Sequence, residues 1–246
     1  MKIDIFEVCA GSVQDCINAE LGGADRVELN SALYLGGLTP SLAMLNLVKE
    51  KTSLKVICMN RPRAAGFCYD DVEIETMFKD AEILLENGAD GISFGFLNPD
   101  ATINTTQTKK MVELIHRYRK EAVFHRAFDC VSDPYVAIQQ LIDCGVDRIL
   151  TSGLQPTALQ GCELLKKLQS EFGEQVEILA GSGINVDNIE TLRERTGIHQ
   201  FHGSCKTWRK DPTTTLGNIS YAYHENDDYD CVSTENVCRV VQLLEK

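Results

Sequence analysis

With 246 residues, 43% of them hydrophobic and 24% charged, the chain can build one large α/β domain or two small ones. A formal net charge of −12 and a pI near 4.9 exclude a broad basic surface for nucleic acid or anionic membrane. Any anionic ligand must therefore sit in a local pocket of arginines and backbone amides. No apolar run approaches the roughly 20 residues that cross a bilayer. Residues 1–7 carry acids where a signal peptide needs an apolar core, so a cytoplasmic location is expected. Ten cysteines invite a metal or disulfide reading, but no C-x-x-C pair occurs and most sit in apolar runs, as reduced buried thiols do.

The chain repeats one pattern: a short apolar run, a polar turn, then an amphipathic stretch. Strands are expected over 3–9, 26–30, 54–61, 91–97, 122–128, 148–152, 176–180 and 199–202. Helices are expected over 12–21, 40–50, 72–86, 105–120, 134–143, 156–172 and 186–195. Glycine or Asn-Gly stops most helices, as left-handed C-caps require, and Pro40, Pro134 and Pro156 fall at first turns. Gly-Ala-Asp recurs at 23–25 and 88–90, and Gly-Val-Asp at 145–147, each just before a strand. Strand starts lie about 28 residues apart, counted from Ile3 to His199. Eight β-α units without a dinucleotide glycine fingerprint favour a single (β/α)8 TIM barrel over an open doubly wound sheet. The expected division is a barrel over 1–208 and a C-terminal extension over 209–246. Within that extension, 211–230 reads as an irregular loop and 234–245 as a final helix packed on the barrel.

In such a barrel the C-terminal strand ends converge on one mouth, where active sites sit. Period-two alternation turns Glu7 and Cys9 inward on the first strand, and Arg26, Glu28 and Asn30 inward on the second. Two inward carboxylates need cationic partners, and Arg61 and Arg126 are the candidates. Glu7, Glu28, Arg61, His125, Arg126 and Asp129 thus form the candidate catalytic set, with a glutamate as general base or metal ligand and His125 as proton carrier. The alternative is a closed salt-bridge network holding the strands in register. Gly181-Ser182-Gly183, read as opening a helix, and Gly203-Ser204 suggest an anion cradle. Cys9, Cys58, Cys205 and His202 are candidate metal ligands, with Met59 a further soft donor; thiolate and thioether suit Cu(I).

The segments 6–9, 23–29, 36–41, 61–63, 124–129 and 150–153, among them Phe124-His125-Arg126-Ala127-Phe128-Asp129, resemble the copper homeostasis protein CutC family. The resemblance runs in order from Phe6 to about Ser204. It implies a cytoplasmic TIM-type barrel, often a homo-oligomer, with a role in copper tolerance and Cu(I) as its cofactor or cargo. The family's proposed copper site uses thiols at the ends of the first two strands. Cys9 matches the first, whereas Asn30 stands at the second. A further departure is Ala64-Ala65-Gly66, where the family has Gly-Gly-Asp. The function expected from the resemblance is copper homeostasis; the alternative, which the matched acidic, basic and glycine positions suit, is an enzyme for a small anionic or phosphorylated substrate.

Overall fold

The computed structural model describes residues 4–223 and 228–245. Strands and helices alternate: β1 (Ile5–Ala10), α1 (Val13–Leu21), β2 (Arg26–Leu29), α2 (Leu42–Lys51), β3 (Lys55–Met59), α3 (Asp71–Glu86), β4 (Gly91–Phe94) and α4 (Thr105–Arg117). They continue as β5 (Glu121–Phe124), α5 (Pro134–Asp143), β6 (Arg148–Thr151), α6 (Cys162–Phe172), β7 (Glu177–Gly181), α7 (Ile189–Thr196) and β8 (Gln200–Gly203). The eight strands pair in parallel in chain order, and β8 pairs back onto β1, which closes the expected (β/α)8 barrel.

The Gly-x-Asp repeat has a physical role at the base of this barrel. Asp25 accepts a hydrogen bond from the Phe6 amide at 2.7 Å, Asp90 from Val56 at 3.0 Å, and Asp147 from Ala122 at 2.7 Å. The amide of each aspartate in turn donates to the carbonyl of that same residue. Each repeat therefore fastens the start of one strand to the start of the next, at the end opposite the mouth.

Side chains divide as a pleated strand requires. Phe6, Val8, Val27, Leu29, Val56, Cys58, Ile92, Phe94 and Phe201 pack outward into the apolar layer beneath the helices. The intervening residues, including Glu7, Arg26, Glu28, Arg148 and His202, point into the barrel and are buried there.

After β8 the chain makes β9 (Lys206–Arg209), a hairpin of β10 (Thr215–Leu216) and β11 (Ile219–Ser220), and β12 (Tyr229–Val232), which pairs antiparallel with β9. The stretch expected as an irregular loop is thus partly two small ribbons. The final helix, α8 (Thr234–Leu244), buries Val237, Val240 and Leu244 and lies against α1, α7 and β1, so it completes the outer ring. Asp15 of α1 anchors this closure by accepting from the Val232 amide at 2.8 Å. Close packing also demands Gly22, where an added Cβ would come within 2.5 Å of the Val237 side chain.

Two local expectations differ from the fold. Helix α6 starts at Cys162 rather than at 156, because residues 153–161 form bends and turns. Of the three prolines placed in first turns, only Pro134 occupies one; Ser41 caps α2 after Pro40. Gly173 ends α6 with φ −64, in the right-handed region, whereas Gly197 ends α7 with φ 70. No described helix is long and apolar enough to cross a membrane.

Candidate functional site

The barrel interior has a charged floor and an open mouth. On the floor, Glu7 and Arg26 are register partners on β1 and β2 and face the same way. Arg26 Nε donates to Glu7 Oε2 at 2.5 Å and its Nη2 donates to Gln200 Oε1 at 2.6 Å. His202 Nδ1 lies 2.8 Å from Glu7 Oε1. On the far side Arg148 donates to Glu121 and Glu177, both at 2.9 Å. The carboxylates were expected to pair with Arg61 and Arg126. Arg26 and His202 take that place, because strand register puts Arg26 beside Glu7 while Arg61 sits beyond the end of β3.

Burial pushes the Glu7 carboxyl up, but Arg26 and His202 outweigh it and hold Glu7 well below the usual carboxylate range. For His202 burial favours the neutral ring, yet its hydrogen bonds with Cys9 and Glu7 and the nearby Glu28 raise it well above an ordinary histidine. His202 is therefore an imidazolium held between Glu7 and Glu28, with Nε2 4.0 Å from Glu28 Oε2. Cys9 Sγ lies 4.0 Å from the same oxygen, and burial pushes its thiol up. Asn30 Nδ2 donates to Glu28 Oε2 at 3.0 Å and to the Glu28 carbonyl at 3.1 Å, which fixes the carboxylate. Cys9, Glu28 and His202 present donor atoms that all lie within 4.8 Å of one another.

Above this corner opens a cavity of about 510 Å³. Cys9, Glu28, Asn30 and His202 line it, together with Met59, Arg61, Phe67 and His125, and with Arg126, Ser182–Ile184, Gly203, Ser204 and Lys206.

The remaining candidates fall into place by their partners. Arg61 is buried, and its guanidinium donates to the carbonyls of Leu35, Gly37 and Ala65, so it braces the loops after β2 and β3. His125 Nδ1 accepts from the Ala127 amide at 3.1 Å, and burial together with Arg61 pushes the ring down to about 3. A ring so held is neutral at physiological pH. Its Nε2 is a buried N–H without a partner among the described residues. Asp129 accepts from Arg126, from Thr151 Oγ1 at 2.6 Å, and from the amides of Ser152 and Leu154. With its oxygens so occupied it clamps the loop after β6.

The glycine loops reach the rim, but not as the opening of a helix. Helix α7 starts only at Ile189, and the Ser182 hydroxyl turns away to donate to the Pro156 carbonyl at 2.7 Å. Gly181 stays inside β7, where an added Cβ would meet Leu150 at 2.5 Å. What remains of the cradle is the backbone of Gly183, Gly203 and Ser204 beside Lys206.

Two expected metal ligands are elsewhere. Cys58 faces the helices, where burial pushes its thiol far up. Cys205 lies in the apolar layer beside α8 and is pushed up to about 12 by burial. Pattern reading left Arg26 without a role and missed Asn30 as the group that aims Glu28. Opposite charges at facing positions of adjacent strands were the available signal for Arg26.

A closed parallel barrel with buried carboxylate–imidazole–thiol chemistry at the C-terminal strand ends defines a TIM-barrel protein with a small-molecule-sized mouth. The CutC family profile matches residues 4–207, and the chain belongs to the CutC family. A CutC family protein of Treponema denticola is 41% identical over 248 aligned positions, covering 99% of this chain and all of that protein. The human copper homeostasis protein cutC homolog is 39% identical over 205 positions, covering 83% of this chain and 74% of its own. The CutC crystal structure from Streptococcus agalactiae superposes with a TM-score of 0.76 at 29% identity, covering 82% of this chain and 99% of that one.

Proposed function

We propose that the chain is a cytoplasmic enzyme for a small anionic molecule bound in the barrel mouth, with its reacting corner at Cys9, Glu28 and His202. The cavity carries this reading: about 510 Å³ is far more than an ion needs and is the size of a small-metabolite site. A carboxylate and an imidazolium 4.0 Å apart on its wall suit general acid–base work. Arg126, Lys206 and the glycine backbone at the rim supply the attraction for an anionic group. Ten unpaired cysteines fit a reducing compartment. The test is a thermal-shift screen with inorganic phosphate and a panel of small phosphorylated and carboxylate metabolites. A hit is expected to raise the wild-type midpoint and to bind more weakly to Lys206→Ala, and Glu28→Gln is expected to abolish its turnover. A panel that leaves the midpoint unmoved refutes the reading.

Direct Cu(I) binding is the second reading, favoured by the copper homeostasis name of relatives and by Cys9 at the mouth. The donor set fits Cu(I) poorly, because Cys9 offers a single thiol beside a carboxylate and an imidazole, and Asn30 takes the second thiol's place. Anaerobic Cu(I) titration against a competing chelator tests it; equal binding by wild type and Cys9→Ser would remove the site.

A further inference from the structure

We propose that Arg61 and His125 form the binding pair for a carboxylate group of a small molecule, with Phe67 as the movable cover of that pair. The inference rests on the reading of the cavity as a small-molecule site and names the chemical group that the site recognises.

Arg61 differs from the other arginines turned into the barrel and its mouth. Arg26 faces Glu7, Arg126 faces Asp129, and Arg148 faces Glu121 and Glu177. Arg61 is 6% exposed and makes no ion pair among the described residues. Its Nη atoms donate to the carbonyls of Leu35, Gly37 and Ala65, which fixes the guanidinium and leaves its charge uncompensated. Its Nε is a buried N–H without a partner among the described residues. A buried cation is costly until an anion meets it, and no described acid does so.

His125 supplies a second, independent donor. Its Nδ1 accepts from the Ala127 amide, which sets the tautomer and puts the ring proton on Nε2. That N–H is also buried without a partner among the described residues. The ring is built into its place by Gly95, where an added Cβ would come within 2.6 Å of His125 Cε1 and 2.8 Å of its Nδ1.

The two side chains flank Phe67. The Phe67 ring lies 5.2 Å from the Arg61 guanidinium carbon and 5.0 Å from the His125 ring, and all three residues line the cavity. Phe67 is half-buried between the exposed Gly66 and Cys68, so its side chain can turn toward solvent without moving a strand. An aromatic face compensates a guanidinium only weakly. An oxyanion in its place gains a charge-assisted hydrogen bond from Arg61 and a further one from His125.

Charge favours a carboxylate over a phosphate. One fixed cation and one neutral donor match a single negative charge shared by two oxygens. A phosphate dianion would bring a second charge into a cavity that the buried Glu28 also lines.

The test is titration of the intact, isotope-labelled protein with acetate, lactate, malate and inorganic phosphate, followed by proton–nitrogen NMR of the arginine Nε and histidine ring nitrogens. The two resonances are assigned by their loss in Arg61→Lys and His125→Asn; asparagine keeps an oxygen to cap the Ala127 amide but has no Nε2 donor. At least one of the carboxylates is expected to shift both resonances and to bind His125→Asn at least about tenfold more weakly. Phe67→Ala is expected to bind it about threefold or more tightly, because no ring has to be displaced. Phosphate binding more tightly than every carboxylate at these resonances, or no shift in wild type and Phe67→Ala alike, would overturn the proposal. A ligand whose affinity depends on Lys206 and leaves both resonances unmoved would overturn it while sparing the small-molecule reading of the cavity.

Discussion

Replacing Glu7 by glutamine tests whether the floor of the barrel is held by charge or only by shape. The side chains are nearly isosteric, and glutamine keeps one oxygen to accept from Arg26, so Glu7→Gln removes charge with little change in packing. Glu7 is 1% exposed and Arg26 3% exposed, so solvent does little to screen the loss. Deleting one partner of such a buried pair costs about 3–5 kcal/mol, since the other charge stays in a medium that solvates it badly. Against a total stability of about 5–15 kcal/mol this is a large share. At about 2–4 °C per kcal/mol for a chain of this size, the midpoint should fall by about 6–20 °C. Urea unfolding at pH 7 followed by circular dichroism gives the free energy, and calorimetry the midpoint. The double variant Glu7→Gln/Arg26→Gln should recover part of the loss, because the stranded guanidinium is gone. A single-variant cost below about 1 kcal/mol, or a strictly additive double variant, would refute a charge-held floor.

Three further outcomes are expected. His202 is raised above its ordinary value, so its stabilisation is complete below pH about 6.5 and is lost as pH rises through the folded value, whereas that of Glu7, which is lowered, holds above pH about 4.3 and is lost as pH falls. The wild-type urea midpoint should accordingly drop relative to that of His202→Gln above pH about 6.5, and a constant difference would contradict the imidazolium. Gly22→Ala drives a methyl to within 2.5 Å of Val237 Cβ and 2.9 Å of the Thr234 carbonyl and should cost about 1–3 kcal/mol in urea unfolding, a loss that Val237→Ala does not restore because the β-carbon and the carbonyl both remain; an unaffected single variant would mean that α8 docks less tightly than described. Asp25→Ala leaves the buried Phe6 amide without its 2.7 Å side-chain acceptor and should lower stability by about 1–3 kcal/mol, with a smaller loss arguing that the Gly-x-Asp repeat is not a clamp.

The barrel was legible in the sequence because each β-α unit carries its own punctuation: an apolar run of period two, an amphipathic stretch, and a glycine stop. The face on which Glu7, Cys9, Glu28 and Asn30 point followed from alternation alone. Partner choice was not legible, because it depends on height within the barrel. Arg26 read as inward on the second strand, and Arg61, at the end of the third, as reaching the mouth or a carboxylate. Only the register that sets Glu7 opposite Arg26 shows that one lies on the floor and the other reaches back to loop carbonyls. His202 read as a weak metal ligand because nothing in 199–205 announces that β8 closes against β1, which puts its ring between Glu7 and Glu28. Cys58 misled for the opposite reason: it is one residue away from Met59, and one residue is one face of a strand.

On the floor Arg148 Nη1 is buried without a partner among the described residues, and more such atoms gather at the mouth, which bears on where a ligand belongs. The polar side-chain atoms of Glu7, Arg26 and Gln200 on the floor interlock with one another and with His202. At the ends of β2 to β5, Asn30 Oδ1, Arg61 Nε, Ser93 Oγ and His125 Nε2 are all buried without a protein partner among the described residues. Leaving such a group unpaired costs about 1–3 kcal/mol each. Phe67 stands between two of them, with its ring 5.2 Å from the Arg61 guanidinium carbon and 5.0 Å from the His125 ring. Arg61 Nε and His125 Nε2 therefore stay unpartnered beside an aromatic side chain from the loop after β3, while the other Arg61 nitrogens hold loop carbonyls. The same loop carries Ala64-Ala65-Gly66 where relatives were expected to have a carboxylate, so no acid competes there for the Arg61 and His125 N–H groups. A bound anion that displaces Phe67 would meet a cation and a neutral imidazole donor in the cavity that Cys9, Glu28 and His202 also line. The mouth thus combines electropositive groups with acidic, thiol-bearing ones, which suits a polar small molecule meeting both better than a lone ion held at either.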